Sequence, residues 1–151
     1  MQPDDAFFSG KRYALFGASA RGRAHGPVLI RALAKAGKEA VAVQPDGLPI
    51  RGATVVRSLA EAGSVDGVVV LPPSPWDNSA ADFTTEALRQ CREHGLGQVW
   101  IYTAGDPAPA AALAAEQGIS ACVGNCPCLY IPGGGFPHNL HRFLFRLTGR
   151  A

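Results

Sequence analysis

The chain has 151 residues and a net charge of +2, and 47% of its residues are hydrophobic while 17% are charged. This length predicts one domain, and the composition excludes both a disordered tail and the basic stripe of a general nucleic-acid binder. The longest unbroken apolar run, residues 110–115, is far shorter than the ~20 residues that a membrane span needs. Asp4 and Asp5 stand where a signal peptide carries Lys or Arg, so we expect a cytoplasmic protein with neither a membrane nor a nucleic-acid partner.

Short apolar runs alternate with amphipathic stretches between residues 11 and 123. The runs predict five strands, at 13–16, 41–43, 68–71, 99–102 and 119–123. Apolar spacing and capping signals predict four helices: 28–36, a short helix that opens at 58–61, one capped by Asp77 and ended by Gly95, and an Ala-rich helix between Asp106 and Gly118. Strands that are apolar on both faces and alternate with helices form parallel sheets covered on both sides. The predicted fold class is therefore α/β, with a doubly wound five-stranded parallel sheet.

Two terminal segments fall outside this alternation, which leaves residues 11–132 as the predicted domain. Residues 1–10 have the pattern of a loose lead-in, and residues 133–151 combine the end of a Gly/Pro-rich loop with a short C-terminal helix. Leu140, Phe143, Leu144 and Leu147 share one face of that helix. We expect this face to pack on the domain or on a second copy of it as a homodimer, because the helix is too short and too weakly basic for a membrane anchor.

The turn after the first strand carries the residues of a phosphate site. In open α/β sheets, ligands bind at the carboxyl ends of strands, near the point where the strand order reverses. Gly17 permits a sharp exit from the strand, and Ser19, Arg21 and Arg23 offer one hydroxyl and two cations. The helix that follows presents free backbone N–H groups and a positive dipole end. This loop suits a phosphate or pyrophosphate, and the alternative is a tight glycine turn without a ligand.

The dinucleotide-binding fingerprint G-x-G-x-x-G is broken in this loop, because Gly17 and Gly22 flank a serine at the second position. The acid that would hold a ribose diol is also missing at the end of the second strand, where Gln44 stands, although Asp46 follows two residues later. A phosphate-bearing ligand is therefore favoured over a standard NAD site. An NAD(P)- or other nucleotide-binding protein with an altered phosphate loop remains the alternative.

Five motifs stand in order at the ends of the five predicted strands. They are Gly-Ala-Ser at 17–19, Val-Gln-Pro at 43–45, Pro-Pro at 72–73, Tyr-Thr-Ala-Gly at 102–105 and Gly-Asn-Cys-Pro at 124–127. In this combination, residues 10–132 resemble the CoA-binding Rossmann-type domain. That domain occurs in small stand-alone CoA-binding proteins, and it opens the alpha subunit of succinyl-CoA synthetase and the NDP-forming acyl-CoA synthetases.

The resemblance implies a Rossmann-like fold that holds CoA or acyl-CoA across the carboxyl edge of the sheet. It assigns the ligand to three groups of residues: Gly17, Ala18, Ser19, Arg21, Gly22 and Arg23 at the phosphates, Gln44 and Pro45 at the adenosine end, and Pro72, Pro73, Thr103 and Asn125 along the pantetheine arm. Cys126 joins these candidates by its position just after the fifth predicted strand. Ligases of the family place a lysine near the nucleotide phosphates where this chain has Gly47. Arg51 or Arg23 is the candidate replacement.

The chain offers no recognisable catalytic set, since neither a Ser/His/Asp arrangement nor a carboxylate pair emerges. The family's ligases also use a phosphorylatable histidine in a second domain, for which residues 1–151 leave no room. We therefore expect a non-catalytic module that binds CoA or acyl-CoA. The rival hypotheses are the altered nucleotide-binding protein and an interaction or thiol-redox protein on an empty α/β scaffold.

The cysteines invite a metal interpretation, but the spacing Cys122, Cys126, Cys128 matches no standard zinc ligand set, even with Cys91 or with His138 and His141. We therefore expect reduced thiols and no metal site. Cys122 falls inside a strand and is expected to be a small core residue. Cys126 lies at the ligand-facing end of that strand, so we predict that it can form a mixed disulfide with CoA; the alternative is that it fills a tight turn.

We predict that Ser19→Glu weakens CoA binding strongly and leaves the domain folded. The substitution places a negative charge against the pyrophosphate in a surface loop, where the fold does not depend on the side chain. Calorimetric titration with CoA measures the affinity, and circular dichroism checks the fold. Unchanged affinity in a folded variant would remove this loop from the site.

Overall fold

The computed structural model describes residues 6–18, 25–72, 83–103 and 105–132, and these form six strands and four α-helices. The strands are β1 (Arg12–Phe16), β2 (Glu39–Val43), β3 (Thr54–Val56), β4 (Gly67–Val70), β5 (Val99–Tyr102) and β6 (Cys122–Gly124). The helices are α1 (His25–Lys35), α2 (Leu59–Ala62), α3 (Thr84–Glu93) and α4 (Ala108–Glu116), and short 3-10 helices lie at Phe7–Ser9 and Pro127–Leu129. Within the described ranges, no helix is long and apolar enough to cross a bilayer.

All six strands pair in parallel, in the order β3-β2-β1-β4-β5-β6. The chain runs outward from β1 to β3, returns to the other side of β1 as β4, and continues outward to β6. The strand order therefore reverses between β1 and β4, which is where sheets of this type bind ligands. This arrangement confirms the predicted α/β, Rossmann-like parallel sheet.

The prediction of five strands was wrong, because β3 was not recognised. It is only three residues long and lies at one edge of the sheet, where Thr54 is exposed and the two valines are half-buried. Three residues are too few for an alternation of apolar and polar positions to appear in the sequence. Only the pairing of β3 with β2, through Val56 opposite Val43, defines it as a strand.

The ends of several elements follow the predicted signals, with two differences. Gly37, Gly95 and Gly118 have φ between +65° and +70° just beyond α1, α3 and α4, as expected of helix-ending glycines. The last strand begins at Cys122 and not at Ile119, because the Ile119 N–H donates to the Ala114 carbonyl and so belongs to the end of α4. Asp77 and the predicted C-terminal helix lie outside the described residues.

The capping signal at 58–61 produces a helix, but the side chains cap it in a different way. Ser58 makes no side-chain cap, and the Glu61 carboxylate accepts the backbone N–H of Arg57 at 3.0 Å. The side-chain oxygen of Gln90, the buried polar residue of α3, accepts the N–H of Leu59 at 2.7 Å. The neighbouring helix therefore supplies part of the cap that the local sequence was expected to supply.

The two faces of the sheet are covered unequally. Helices α2, α3 and α4 pack on one face. Of the α-helices that the structure describes, α1 alone packs on the other face. On that second face, the fully buried Trp100 lies under Phe7 and Phe8, with ring centroids 5.3 and 5.7 Å from its own. The Tyr13 hydroxyl donates to the Phe7 carbonyl at 3.1 Å, and burial raises the pKa of Tyr13 to about 12.

Phe7 and Phe8 belong to the segment that the sequence suggested was a loose lead-in. Phe8 is completely buried and Phe7 nearly so. They close the part of the sheet that α1 does not reach, so this segment contributes core packing. The division of the chain at residues 10 and 132 stays a prediction.

We predict that Phe8→Ala lowers the free energy of unfolding by about 3–5 kcal/mol, the usual cost of emptying an aromatic site in a core. Leu48→Ala, at an exposed leucine, is the control and should change it by less than about 0.5 kcal/mol. Urea unfolding measures both. A loss below about 1 kcal/mol in Phe8→Ala would show that the domain is stable without this cover.

Candidate functional site

The carboxyl ends of the six strands are level with one another. The pairing register places one row of residues straight across the sheet: Val56, Val43, Phe16, Val70, Ile101 and Val123. Strands β1 to β4 end at this row, and β5 and β6 end one residue beyond it, so each segment that carries a predicted site motif leaves the sheet here. Ala18, Pro45, Pro72, Thr103 and Asn125 all lie two residues beyond it. The sheet therefore brings the five motifs to a single edge.

At the centre of this edge, the loops after β1 and β4 touch. Gly17 has φ +74°, and a Cβ there would lie 2.6 Å from the Leu71 carbonyl oxygen. The Leu71 N–H in turn donates to the Phe16 carbonyl at 2.9 Å. Glycine is required at position 17 both for the left-handed backbone and for this close approach. The loop that is predicted to bind phosphate thus begins where the strand order reverses, between β1 and β4.

Gly26 was missed by the sequence analysis, although it packs the start of α1 against the end of β1. A Cβ at Gly26 would lie 2.7 Å from the Cα of Ala18, which is itself buried. The missing side chain allows the helix to begin directly behind the strand end. The available signal was the glycine itself, because glycine has a low helix propensity and its presence at the second position of α1 needs a packing reason.

Five of the predicted site residues cannot be placed. Ser19, Arg21, Gly22, Arg23 and Pro73 lie outside the described residues, so their contacts stay predictions; the same holds for the phosphate role of the loop as a whole. His25, the first described residue after this loop, meets the Tyr102 ring edge-on with centroids 4.7 Å apart. Burial lowers the pKa of His25, which favours the neutral form of its ring.

The turn after β2 is held by its own side chains. The Gln44 side-chain amide donates to Asp46 Oδ1 at 2.8 Å, and the Leu48 N–H donates to the same oxygen at 3.0 Å. Pro45 is exposed at the outside of this turn. Because Asp46 Oδ1 stabilises the turn, it is a poor substitute for the acid that would hold a ribose diol in an NAD site.

Arg57, at the end of β3, brings a positive charge to this turn. A Cβ at Gly47 would lie 3.3 Å from Arg57 Nε, so the guanidinium covers the position where related ligases carry a lysine. The side chain is exposed and forms no ion pair with the residues that the structure describes. Arg57 was not predicted as a site residue because β3 was not recognised in the sequence.

Arg51, which the sequence suggested as a replacement for that lysine, lies at the opposite edge of the sheet, where the strands begin. It precedes β3, and the adjacent Gly52 lines a shallow groove with Lys38 and Glu39 at the start of β2. Since β2 and β3 are parallel, this groove is at the amino edge, opposite the candidate site. Of the described arginines, Arg57 and not Arg51 lies beside Gly47; Arg23, the other suggested replacement, lies outside the described residues.

Beyond β4 and β5, Pro72 and Thr103 line a cavity of about 240 Å³. Its walls come from α3, α4 and the strand ends, and they are mostly apolar with a few polar groups. The lining residues are Pro72, Thr84, Ile101, Tyr102, Thr103, Asp106, Pro109, Ala110 and Leu113. The cavity opens at the same edge as the other motifs.

The segment after β6 is anchored to the buried face of the sheet. Trp100 Nε1 donates to the Asn125 carbonyl at 3.0 Å, and the Asn125 side-chain amide donates to the Tyr130 hydroxyl at 3.2 Å. The next residue, Cys126, is partly exposed. The side-chain N–H of Asn125 therefore makes its hydrogen bond within this loop, and Cys126 lies beside the carboxyl edge of the sheet.

The thiols form no metal centre among the described residues, where no three potential ligands gather to hold an ion. His138 and His141 lie outside those residues. All four cysteines are described and none is in a disulfide, and Cys122 is buried in β6 as expected of a core residue. Burial raises the pKa of Cys91 to about 12, which leaves that thiol unreactive.

Comparisons with known proteins identify the family. Residues 11–132 match the sequence profile of the CoA binding domain. A conserved hypothetical protein from Pyrococcus furiosus superposes with a TM-score of 0.60 at 23% identity, over 78% of this chain and 96% of that chain. A Thermus thermophilus protein matches with a TM-score of 0.60 at 22% identity, over 93% of this chain and 95% of that chain. No curated protein matches.

A hypothetical protein from Pyrococcus horikoshii is also similar, with a TM-score of 0.60 at 19% identity over 82% of each chain. At such identities the structural likeness shows the fold alone. The profile match covers most of the chain and shows the family. It confirms the resemblance that the strand-end motifs indicated.

We predict that Gly26→Ala destabilises the domain by about 1–3 kcal/mol, because the new methyl group meets the Ala18 backbone and overpacks the contact between α1 and β1. Gly97→Ala is the matched control, since a Cβ at Gly97 meets no atom within 4 Å and its φ is not positive. Urea unfolding should leave the control unchanged or more stable. Equal effects of the two substitutions would contradict the close packing at Gly26.

Proposed function

Because the chain belongs to the CoA binding domain family, we propose that it acts as a non-catalytic module that binds CoA or an acyl-CoA. The observation that carries this proposal is the level row of strand ends, which brings all five motif segments to one edge of the sheet. A long ligand with a nucleotide at one end and a thiol at the other needs such a continuous edge. We expect it to lie there in an extended pose.

In the proposed complex, the diphosphate lies where the loop after β1 leads into α1. Because Gly17 and Gly26 have no side chains, the end of the strand, the start of the helix and the ligand can approach one another closely. Ser19, Arg21 and Arg23 supply the hydroxyl and the two cations. A helix start adds N–H donors and a positive dipole end, a setting that favours phosphate groups.

The adenosine end occupies the turn at Gln44 and Pro45, and Arg57 binds the ribose 3′-phosphate. Two features of Arg57 support this role: its guanidinium lies over Gly47, and it is exposed with no ion-pair partner in the described chain. A planar guanidinium also offers two parallel N–H donors to a phosphate, which a lysine does not. NADP carries its phosphate on the 2′ position, so the same site can discriminate between the two ligands.

The pantetheine arm crosses the edge between β4 and β6, with Pro72 and Thr103 along its path. The cavity of about 240 Å³ beside these residues offers apolar walls and a few polar groups, the lining that small-molecule sites use. Because the cavity lies beside the proposed path, it can accommodate the dimethyl group of the arm or a short acyl chain. We therefore include acyl-CoA with CoA in the proposal.

The proposal is tested by thermal unfolding with CoA, acetyl-CoA, NAD and NADP. A ligand that binds only the native state stabilises it by RT ln(1 + [L]/Kd), about 2.7 kcal/mol at a hundredfold excess over Kd. We expect an upward shift of Tm with CoA and acetyl-CoA and little with NAD or NADP. A larger shift with NAD or NADP would establish the alternative, an altered nucleotide-binding protein.

We predict that Arg57→Ala weakens CoA binding by about five- to tenfold, since an exposed cation–phosphate contact contributes about 1 kcal/mol. Dephospho-CoA, which lacks the 3′-phosphate, should bind the variant and the wild type equally. Arg51→Ala removes the same charge from the opposite edge and is the matched control. Calorimetric titration of both ligands into the three proteins measures the difference.

Two results would contradict the assignment of Arg57. One is an equal loss with CoA and with dephospho-CoA, which would indicate a general electrostatic effect. The other is an equal loss in Arg51→Ala, which would place the phosphate elsewhere.

A further inference from the structure

The cavity beyond β4 and β5 lies between the candidate site and the core. Pro72 and Thr103 line it at the carboxyl edge, along the proposed path of the pantetheine arm. Ile101, Ala110 and Leu113 line it on the inner side, where they belong to the hydrophobic cluster between the sheet and helices α2, α3 and α4. The cavity therefore leads from the proposed path of the ligand toward the apolar interior.

Helix α4 gives the cavity its depth. The helix starts at the carboxyl edge with Ala108 and runs back alongside the parallel strands. Leu113 follows Ala108 by five residues, which places it about 7.5 Å farther from the edge at a rise of 1.5 Å per residue. Its side chain is half-buried against the cluster. Leu113 is therefore the lining residue of α4 that lies farthest from the edge.

The lining carries one charged side chain among the described residues, that of Asp106. Its Oδ1 accepts the N–H of Ala108 at 2.9 Å. This carboxylate already occupies the start of α4, where the helix dipole attracts negative charge. A second carboxylate in the cavity would meet both a like charge and apolar walls, which do not solvate it. The cavity therefore favours an uncharged occupant.

The volume of the cavity suits a short chain. Its 240 Å³ is about eight times the ~30 Å³ that a water molecule occupies in the liquid, and a methylene group is of similar size. At the packing density of protein interiors, ~0.75, about six such groups fill it. A long fatty-acyl chain exceeds this space.

We propose that this cavity is an acyl subsite, which takes an uncharged straight acyl chain of up to about six carbons. Leu113 limits the chain length, and Asp106 selects against acyl groups that end in a carboxylate. This proposal rests on the proposed CoA-binding function and assigns the acyl group within it. Strands β1 and β5 are two inter-strand spacings, or about 10 Å, apart. The extended pantetheine arm is longer, so its thioester end can turn into the cavity while the phosphates lie at the start of α1.

The chain-length dependence of binding tests the subsite. Calorimetric titration compares CoA with acetyl-, butyryl-, hexanoyl- and octanoyl-CoA. We expect the affinity to rise about two- to fourfold for each methylene group that is buried. The rise should continue to hexanoyl-CoA and stop at octanoyl-CoA. Equal affinities throughout the series would overturn the subsite, and an undiminished rise to octanoyl-CoA would overturn the length limit.

Two substitutions of alanine by leucine on α4 provide a matched pair. Ala110→Leu fills the cavity, whereas Ala112→Leu adds the same group to an exposed position of the same helix. We expect Ala110→Leu to lower the ratio of butyryl-CoA to CoA affinity by about tenfold, because the chain loses its apolar contacts. Ala112→Leu should keep the wild-type ratio. A wild-type ratio in folded Ala110→Leu, or the same loss in both variants, would overturn the subsite.

Leu113→Ala is a second variant, which enlarges the cavity and so does not depend on its tolerance of a larger side chain. We expect the rise in affinity to extend to octanoyl-CoA in this variant. An unchanged optimum at hexanoyl-CoA would overturn the role of Leu113.

The charge preference is tested with succinyl-CoA, whose acyl group has the four carbons of butyryl-CoA and one carboxylate. We expect it to bind the wild-type protein about tenfold or more weakly than butyryl-CoA. Asp106→Asn should narrow this gap, because the amide oxygen keeps the bond to the Ala108 N–H without the charge. Equal binding of the two ligands would overturn the preference for an uncharged chain, and an unchanged gap in Asp106→Asn would overturn the role of Asp106.

The titration with CoA itself separates the two levels of inference. If CoA binds and the acyl chain adds no affinity, the subsite is wrong and the proposed function stands. If neither CoA nor any acyl-CoA binds, both are wrong.

Discussion

A parallel sheet that is apolar on both faces has to be covered on both faces, and the rest of this structure depends on how that is done. The winding of the chain places α2, α3 and α4 on one face and α1 on the other. Trp100 would otherwise lie bare on the second face. The short helical turn of Phe7 and Phe8, together with Tyr130, closes it with aromatic rings. Segments from both ends of the described chain therefore cover the apolar face of the sheet.

The same packing determines where the candidate site lies. Because Trp100 donates its indole N–H to the Asn125 carbonyl, the same buried residue also holds the segment after β6 at the carboxyl edge. On the opposite side of the switch point, Gly17 and Gly26 allow strand, loop and helix to approach within atomic contact. The described segments that border the candidate site are therefore held by contacts with the core. Preorganised groups bind with a smaller entropic cost than mobile ones.

Charge at this edge is distributed for a long anionic ligand. The sequence carries Arg21 and Arg23 after β1, outside the described residues, and Arg57 provides a described cation at the end of β3. At the other end, the edge becomes apolar around Pro72 and then reaches the Cys126 thiol. Polarity therefore changes along the edge in the same order as along CoA, from nucleotide phosphates through the pantetheine arm to sulfur. That order supports one ligand and one orientation.

The sequence by itself determined the fold class, four helices and five of the six strands, because apolar periodicity and helix-ending glycines are local signals. It also indicated the family, since the five motifs follow successive strands. Tertiary structure alone decided the rest. β3 is too short to have a pattern and exists through its pairing with β2, which places Arg57, and not Arg51, beside the turn after β2. Phe7 and Phe8 are core residues only because the winding leaves Trp100 uncovered. Contacts between residues far apart in the chain leave no trace in local sequence, and these features consist of such contacts.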